Sequence, residues 1–331
     1  MADPLEELRE AARVALPPVE GEVAVAGVRE PVEVIRDRWG VPYLSAASQD
    51  DLWFAQGFVQ ASERLFQIEL ALRAANGRLS EWFSDLTLPS DRFARTVGFH
   101  RIGALEADRW TDPSRSMMRR FVEGARAWVA SMPAPPLEYA LLGMPPELPE
   151  DLERWAAAFA YVAWGLSGNW DDELLRLRLS ERLGASAAEA LLPPAPVDPG
   201  PAAGSLAGRL LEGLPRSRGR GSNNWVVSGS RTASGRPLLA NDPHLLAQQP
   251  AAWFELHLRA PGYEARGVAF PFAPGIVVGT TSHHAWGVTN VSGDIQDLYV
   301  ERLNDTGTAA EFDGTWEPLE VRPETIEVRG G

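Results

Sequence analysis

The feature that most constrains the fold is a change of pattern near the middle of the chain. Up to residue 192 apolar residues recur mainly at helical spacing, and from residue 222 they alternate with polar ones. Between the two lie residues 193–221, rich in proline and glycine, with an arginine cluster at Arg216, Arg218 and Arg220 and no hydrophobic period. A segment of that composition buries little and serves as a spacer. The expected class is therefore α+β, with a mostly helical first part (1–192), a spacer (193–221) and a strand-rich second part (222–331).

Within the first part, residues 22–28 and 31–37 alternate as strands do, Val32 and Val34 flanking Glu33. Ser48 and Asp51 have the spacing of a capping box, and Phe54, Phe58, Leu65, Ile68 and Leu72 then fall on one helical face. Asn76-Gly77 suits the end of that helix. Residues 100–190 read as helices broken by the prolines at 133–136 and 145–149. Trp155, Phe159, Val162 and Trp164 make an aromatic stripe, which serves either as core or as the wall of an apolar pocket. In the second part, strands are expected at 225–227, 237–240, 253–258, 268–272, 275–278, 285–289, 298–303 and 325–328. The chain stops directly after a strand-like run, so a continuation is expected.

Composition narrows the chemistry. With 331 residues, 45% of them hydrophobic, the chain has ample material for a core. Its net charge of −14 and lack of basic runs argue against a nucleic-acid partner. Cysteine and lysine are both absent, which removes thiol nucleophiles, thiolate metal sites and Schiff-base chemistry. The remaining bases are carboxylates, a freed α-amine and five histidines: His100, His244, His257, His283 and His284. His257, His283 and His284 have no further histidine or cysteine to complete a transition-metal site and read as structural. No signal-peptide pattern opens the chain, and no apolar run approaches the ~20 residues of a spanning helix. A cytoplasmic protein without membrane contact is expected from the sequence as it stands, or a periplasmic or secreted one if a leader has been removed.

At the junction of spacer and strand stands Gly221-Ser222-Asn223-Asn224-Trp225-Val226-Val227-Ser228-Gly229. Ser222 there is either an ordinary turn serine or a nucleophile. Were the bond between Gly221 and Ser222 cut, Ser222 would carry a hydroxyl and an α-amine together. That amine titrates near ~7.7–8.0, close to ideal for a base at neutral pH. Gly221 lacks a side chain, so its carbonyl is open to attack by the Ser222 hydroxyl.

This stretch resembles the processing junction of the penicillin acylase family, N-terminal nucleophile amidohydrolases made as one precursor and cut into two chains. Residues 36–42 (Arg-Asp-Arg-Trp-Gly-Val-Pro), 57–67 (Gly-Phe-Val-Gln-Ala-Ser-Glu-Arg-Leu-Phe-Gln) and 77–81 (Gly-Arg-Leu-Ser-Glu) resemble successive blocks of the family's smaller chain. The resemblance implies an α/β/β/α sandwich, with 1–192 as the smaller chain and 222–331 as the start of the larger one. It implies Gly221 and Ser222 as the cleavage site and Ser222 as the nucleophile. His244, 22 residues on within Asn241-Asp242-Pro243-His244, would stand beside it through its backbone N–H and its ring. Leu245 would line the acyl pocket, and the Val291 N–H would donate to the oxyanion. The family's second oxyanion donor is an asparagine further downstream than residue 331. The resemblance also implies one structural calcium ion, held by Asp294, Asp297 and the Gln296 carbonyl, with Asn169 where the family would supply a glutamate. The implied activity is hydrolysis of a small N-acyl amide such as a β-lactam side chain, with the processed second chain as partner. The alternatives are an acyl-homoserine lactone acylase and an inactive fragment of the same fold.

Overall fold

The structure is a computed structural model that describes residues 4–167, 170–192, 222–245, 248–290 and 296–331. Helices come first, strands second, as the pattern break predicts. The chain runs α1 (Pro4–Val14), β1 (Glu33–Arg36), β2 (Pro42–Ser45), α2 (Gln49–Ala75), α3 (Ser80–Phe83), α4 (Leu88–Val97), α5 (Phe99–Arg109), α6 (Ser114–Ser131), α7 (Leu137–Leu142), α8 (Leu152–Ser167), α9 (Trp170–Leu183) and α10 (Ala185–Leu191). The second part contributes β3 (Ser222–Val227), β4 (Leu238–Pro243), β5 (Phe254–Ala260), β6 (Tyr263–Ala269), β7 (Val278–Thr281), β8 (Ala285–Trp286), β9 (Ala309–Phe312) and β10 (Thr315–Pro318). No described helix is long and apolar enough to cross a membrane.

The chain divides into two compact units. The first comprises Met1–Tyr161, Gly221–Thr289 and Glu327–Gly331, and the second Val162–Arg220 and Asn290–Ile326. In the first unit a six-stranded sheet has the order β1-β2-β5-β6-β7-β8, antiparallel except for the β2/β5 pair. A separate two-stranded ribbon pairs β3 with β4. In the second unit β9 and β10 form a hairpin.

Helix α2 organises the first unit. The Ser48 hydroxyl oxygen accepts from the Asp51 N–H at 3.1 Å, the cap expected from the Ser48/Asp51 spacing. The Asp51 carboxylate reaches back to the N–H groups of Arg29 (2.9 Å) and Glu30 (3.4 Å), tying the incoming chain to the helix start. At the other end Gly77 adopts the left-handed conformation, at φ 60°. One expectation is corrected: α2 is buried on most of its circumference, not along one face, because the sheet and α6 both pack on it. Leu52, Trp53, Ala55 and Val59 meet Leu44, Phe254, Leu256 and Leu258 of the sheet. Against α6 the contact is backbone to backbone. A Cβ on Gly57 would fall 1.9 Å from the Phe121 carbonyl oxygen, and one on Gly124 would fall 1.8 Å from that of Phe54. The helix also departs from helical geometry at Arg64.

Residues 22–28 form no strand. They are largely exposed and end in a turn at Gly27 with φ 102°, so their alternation has no sheet to pack on. Residues 298–303 contribute only an isolated bridge at Leu303, and 325–328 form no strand. Trp155 is completely buried, edge-on to Phe121, and Phe159 packs on Trp110 and Phe272. Of the aromatic stripe, Trp155 is core and Phe159 is partly buried.

Candidate functional site

Ser222 opens β3, half-buried and paired with Pro243 at the end of β4. The hairpin brings the end of β4 back to the start of β3, so residues 22 apart in sequence become neighbours. The His244 N–H donates to the Ser222 hydroxyl oxygen at a long 3.4 Å. That contact joins the two residues the sequence singles out, through the backbone of His244.

The imidazole is engaged elsewhere. His244 Nε2 lies 2.9 Å from Asp242 Oδ2 and 3.3 Å from Asn223 Nδ2. One ring nitrogen cannot both donate to the carboxylate and accept from the amide, and the shorter contact assigns the hydrogen to Nε2, given to Asp242. Asn223 then reaches Asp242 Oδ2 at 3.5 Å. Hydrogen bonds from His244 and then Asn223 hold the Asp242 carboxyl below its ordinary range. Asn223 and Asp242 are cross-strand partners, and Asp242 and His244 are two residues apart, so strand alternation gathers the three on one face. The group is open to water, with His244 and Asp242 side chains 41% and 67% exposed.

A third segment lies alongside Ser222. Thr289 Oγ1 donates to the Ser222 carbonyl at 3.2 Å. The Asn241 amide donates to the Asn223 carbonyl (2.9 Å) and to the Val288 carbonyl (2.8 Å), and accepts from the Val288 N–H (3.1 Å). Neither Asn241 nor Thr289 stands out in the sequence, because each acts through a carbonyl or amide that any residue carries.

Leu245 follows His244, its N–H turned back to the Pro243 carbonyl at 2.9 Å and its side chain half-exposed. Gly221, Val291, Asp294 and Asn169 lie outside the described residues. Gln296 and Asp297 are described, in the second unit, with Asp297 exposed. Among the described residues no group of three or more histidine and acidic side chains is placed to hold a metal. His257 pairs with Glu264 at 3.2 Å and packs edge-on to Tyr43, a structural role. A small crevice elsewhere is lined by charged groups including Glu69, Arg73, Arg78 and Arg154, which does not suit an apolar acyl chain.

Comparison with known proteins identifies the family. The family profile described as penicillin amidase matches residues 31–331. Penicillin acylase 2 proenzyme of Pseudomonas sp. (strain SE83) is 33% identical over 345 residues, covering 98% of this chain and 44% of that protein. Acyl-homoserine lactone acylase QuiP of Pseudomonas aeruginosa (strain PAO1) is 32% identical over 340 residues, covering 96% of this chain and 40% of that one. The chain thus spans less than half the length of these relatives. The structure of thermostable penicillin G acylase from Alcaligenes faecalis is similar with a TM-score of 0.41 at 21% identity, over 53% of this chain and 98% of that one. That superposition is partial, and the family match rests on the sequence.

Proposed function

The chain belongs to the penicillin amidase family, and from that premise we propose that it provides the nucleophile of an N-acyl amide hydrolase exposed by self-cleavage between Gly221 and Ser222. The observation that carries the reading is the contact between the His244 N–H and the Ser222 hydroxyl, at the 22-residue spacing the family uses. In the first step the Ser222 hydroxyl attacks the Gly221 carbonyl, the C–N bond breaks, and an ester with a free α-amine forms. Water hydrolyses the ester and leaves Ser222 as a new terminus.

In turnover the α-amine takes the hydroxyl proton through a water as Ser222 Oγ bonds to the substrate carbonyl carbon. The Val291 N–H donates to the developing oxyanion, a contact commonly worth ~3–4 kcal/mol in such chemistry. The proton passes to the leaving amine, the C–N bond breaks, and water cleaves the acyl ester. His244 holds the serine hydroxyl through its N–H, and Leu245 borders the acyl group. Asp294, Asp297, the Gln296 carbonyl and Asn169 would hold one calcium ion, an all-oxygen donor set of the kind calcium prefers, in a structural role.

The substrate is a small N-acyl amide such as a β-lactam side chain. An acyl-homoserine lactone is the second reading, favoured by the nearly equal identity to the QuiP relative. Expression of the complete reading frame tests both. Intact mass should reveal a chain beginning at Ser222, and Ser222→Ala should abolish both cleavage and hydrolysis. A Ser222→Ala protein that matures and hydrolyses normally would overturn the proposal. A phenylacetyl amide and a long-chain acyl-homoserine lactone, assayed side by side, separate the two substrate classes.

A further inference from the structure

We propose that Asn241 is a positioning residue for Ser222, acting as a surrogate peptide that ties the chain after β8 to the nucleophile strand. The inference rests on the reading of Ser222 as nucleophile. β3 pairs with β4, and the six-stranded sheet ends at β8, so neither sheet joins the two through a backbone ladder. Asn241 supplies the join. Its side-chain oxygen accepts from the Val288 N–H, and its two amide hydrogens go to the carbonyls of Val288 and Asn223.

The three partners fix the amide orientation: a backbone N–H demands the oxygen and two carbonyls demand the nitrogen. Three of the four hydrogen bonds open to this side chain are used, and all three go to backbone. A close approach at Gly287 reinforces the arrangement. A Cβ there would sit 2.7 Å from Asn241 Cβ, so a glycine lets the segment lie against the asparagine.

The consequence falls on the Ser222–Asn223 backbone. Its Asn223 carbonyl is held by Asn241, its Ser222 carbonyl by Thr289, and its serine hydroxyl by the His244 N–H. Removing Asn241 leaves two carbonyls and an N–H that water can satisfy, because the neighbourhood is exposed. What is lost is the lateral position of Ser222 between β4 and residues 287–289. Attack requires the hydroxyl oxygen within a few tenths of an ångström of the right place, and misplacement of about 1 Å costs on the order of 100-fold in rate.

The test compares wild type, Asn241→Ala, Asn241→Asp and Thr289→Val in the protein expressed from its complete reading frame. Asn241→Asp keeps the acceptor for the Val288 N–H but cannot donate to either carbonyl. Active sites are counted by acyl-enzyme titration, so that misfolded molecules drop out of kcat. For both Asn241 variants the expected result is a kcat per active site about 10- to 100-fold lower, with KM and melting midpoint near wild type. Thr289→Val should fall in the same direction by a few-fold. A merely structural asparagine would lower the number of active sites and leave kcat per site unchanged. A kcat per site within about twofold of wild type in both Asn241 variants, a shift too small for any positional change, overturns the proposal. Should neither Asn241 variant fold, Thr289→Val decides, and an unchanged kcat per site overturns it. Wild type that neither cleaves itself nor hydrolyses either amide removes the proposed function itself, and this inference with it.

Discussion

Two amide side chains do the same thing in opposite surroundings. Gln56, on α2 and completely buried, accepts from the Gly275 N–H at 2.9 Å and donates to the Gly275 carbonyl at 3.1 Å. Asn241, on the open ribbon, grips Val288 by the same two points. Carboxylates make a second matched pair. Glu69 is buried on α2 among Arg73, Tyr139 and the Glu147 N–H, and burial pushes its carboxyl up. Asp242 is exposed on β4, and hydrogen bonds from His244 and Asn223 push its carboxyl down. The difference teaches where each contact acts: inside, a lost partner is unsatisfied and the fold suffers, while on the ribbon water takes its place and only geometry is lost.

The interior half of the comparison breaks hardest at Glu69. Glu69→Ala leaves the Arg73 guanidinium, the Tyr139 hydroxyl and the Glu147 N–H without a buried partner that each now has. Stripping one member from a buried ion pair costs about 3–5 kcal/mol, readable as a fall in urea midpoint. Glu69→Gln, which still accepts from the phenol, should recover part of that loss.

Next comes Gln56→Ala, which strands the Gly275 peptide and the partner amide of Gln60 in the core. Its expected cost is about 2–3 kcal/mol. Asn241→Ala, measured in the same way, should cost no more than about 1 kcal/mol, the net worth of an ordinary hydrogen bond where water competes. Equal losses at the two positions would remove the distinction between interior and ribbon.

What was legible in the sequence follows the same division. The Ser48 cap, the apolar positions from Phe54 to Leu72 and the Gly77 turn are local signals, and the structure bears them out. The wrap of α2 by neighbours on most sides was hidden, because Gln56, Gln60 and Glu69 read as a polar face until their partners, in Gln56's case 219 residues away, are in place. The alternation at 22–28 was misleading, since a period of two specifies a strand only where a neighbouring strand exists. The β9–β10 hairpin does have a local signal: Asp313-Gly314, both with positive φ, is the pair a tight hairpin turn requires. At the site, Ser222 and His244 were legible through the family resemblance, and the β3/β4 hairpin makes their 22-residue spacing a spatial proximity. Asn241, Asp242 and Thr289 were not, because their partners are backbone groups or a histidine whose ring turned away from the serine.

The smallest effect sharpens the comparison most, because it is a matter of sign. Glu69 has a folded-state pKa above the unfolded value, so the folded protein binds an extra proton between the ordinary glutamate value of about 4.3 and the raised one. Its contribution to stability therefore declines as pH rises through that window. Asp242 is the reverse case. Its folded-state pKa lies below the ordinary aspartate value of about 3.9, so its contribution is fully present above that value and disappears as pH falls through the lowered one. Carboxyl carbon shifts followed by NMR should place Glu69 above and Asp242 below the free side chains. Asp242→Asn should lower the urea midpoint at neutral pH only slightly, as befits an exposed group, while the His244 ring loses its carboxylate partner. If Asp242 titrates at or above the free value, the His244 and Asn223 contacts do not persist in solution, and the ring is free to turn toward Ser222.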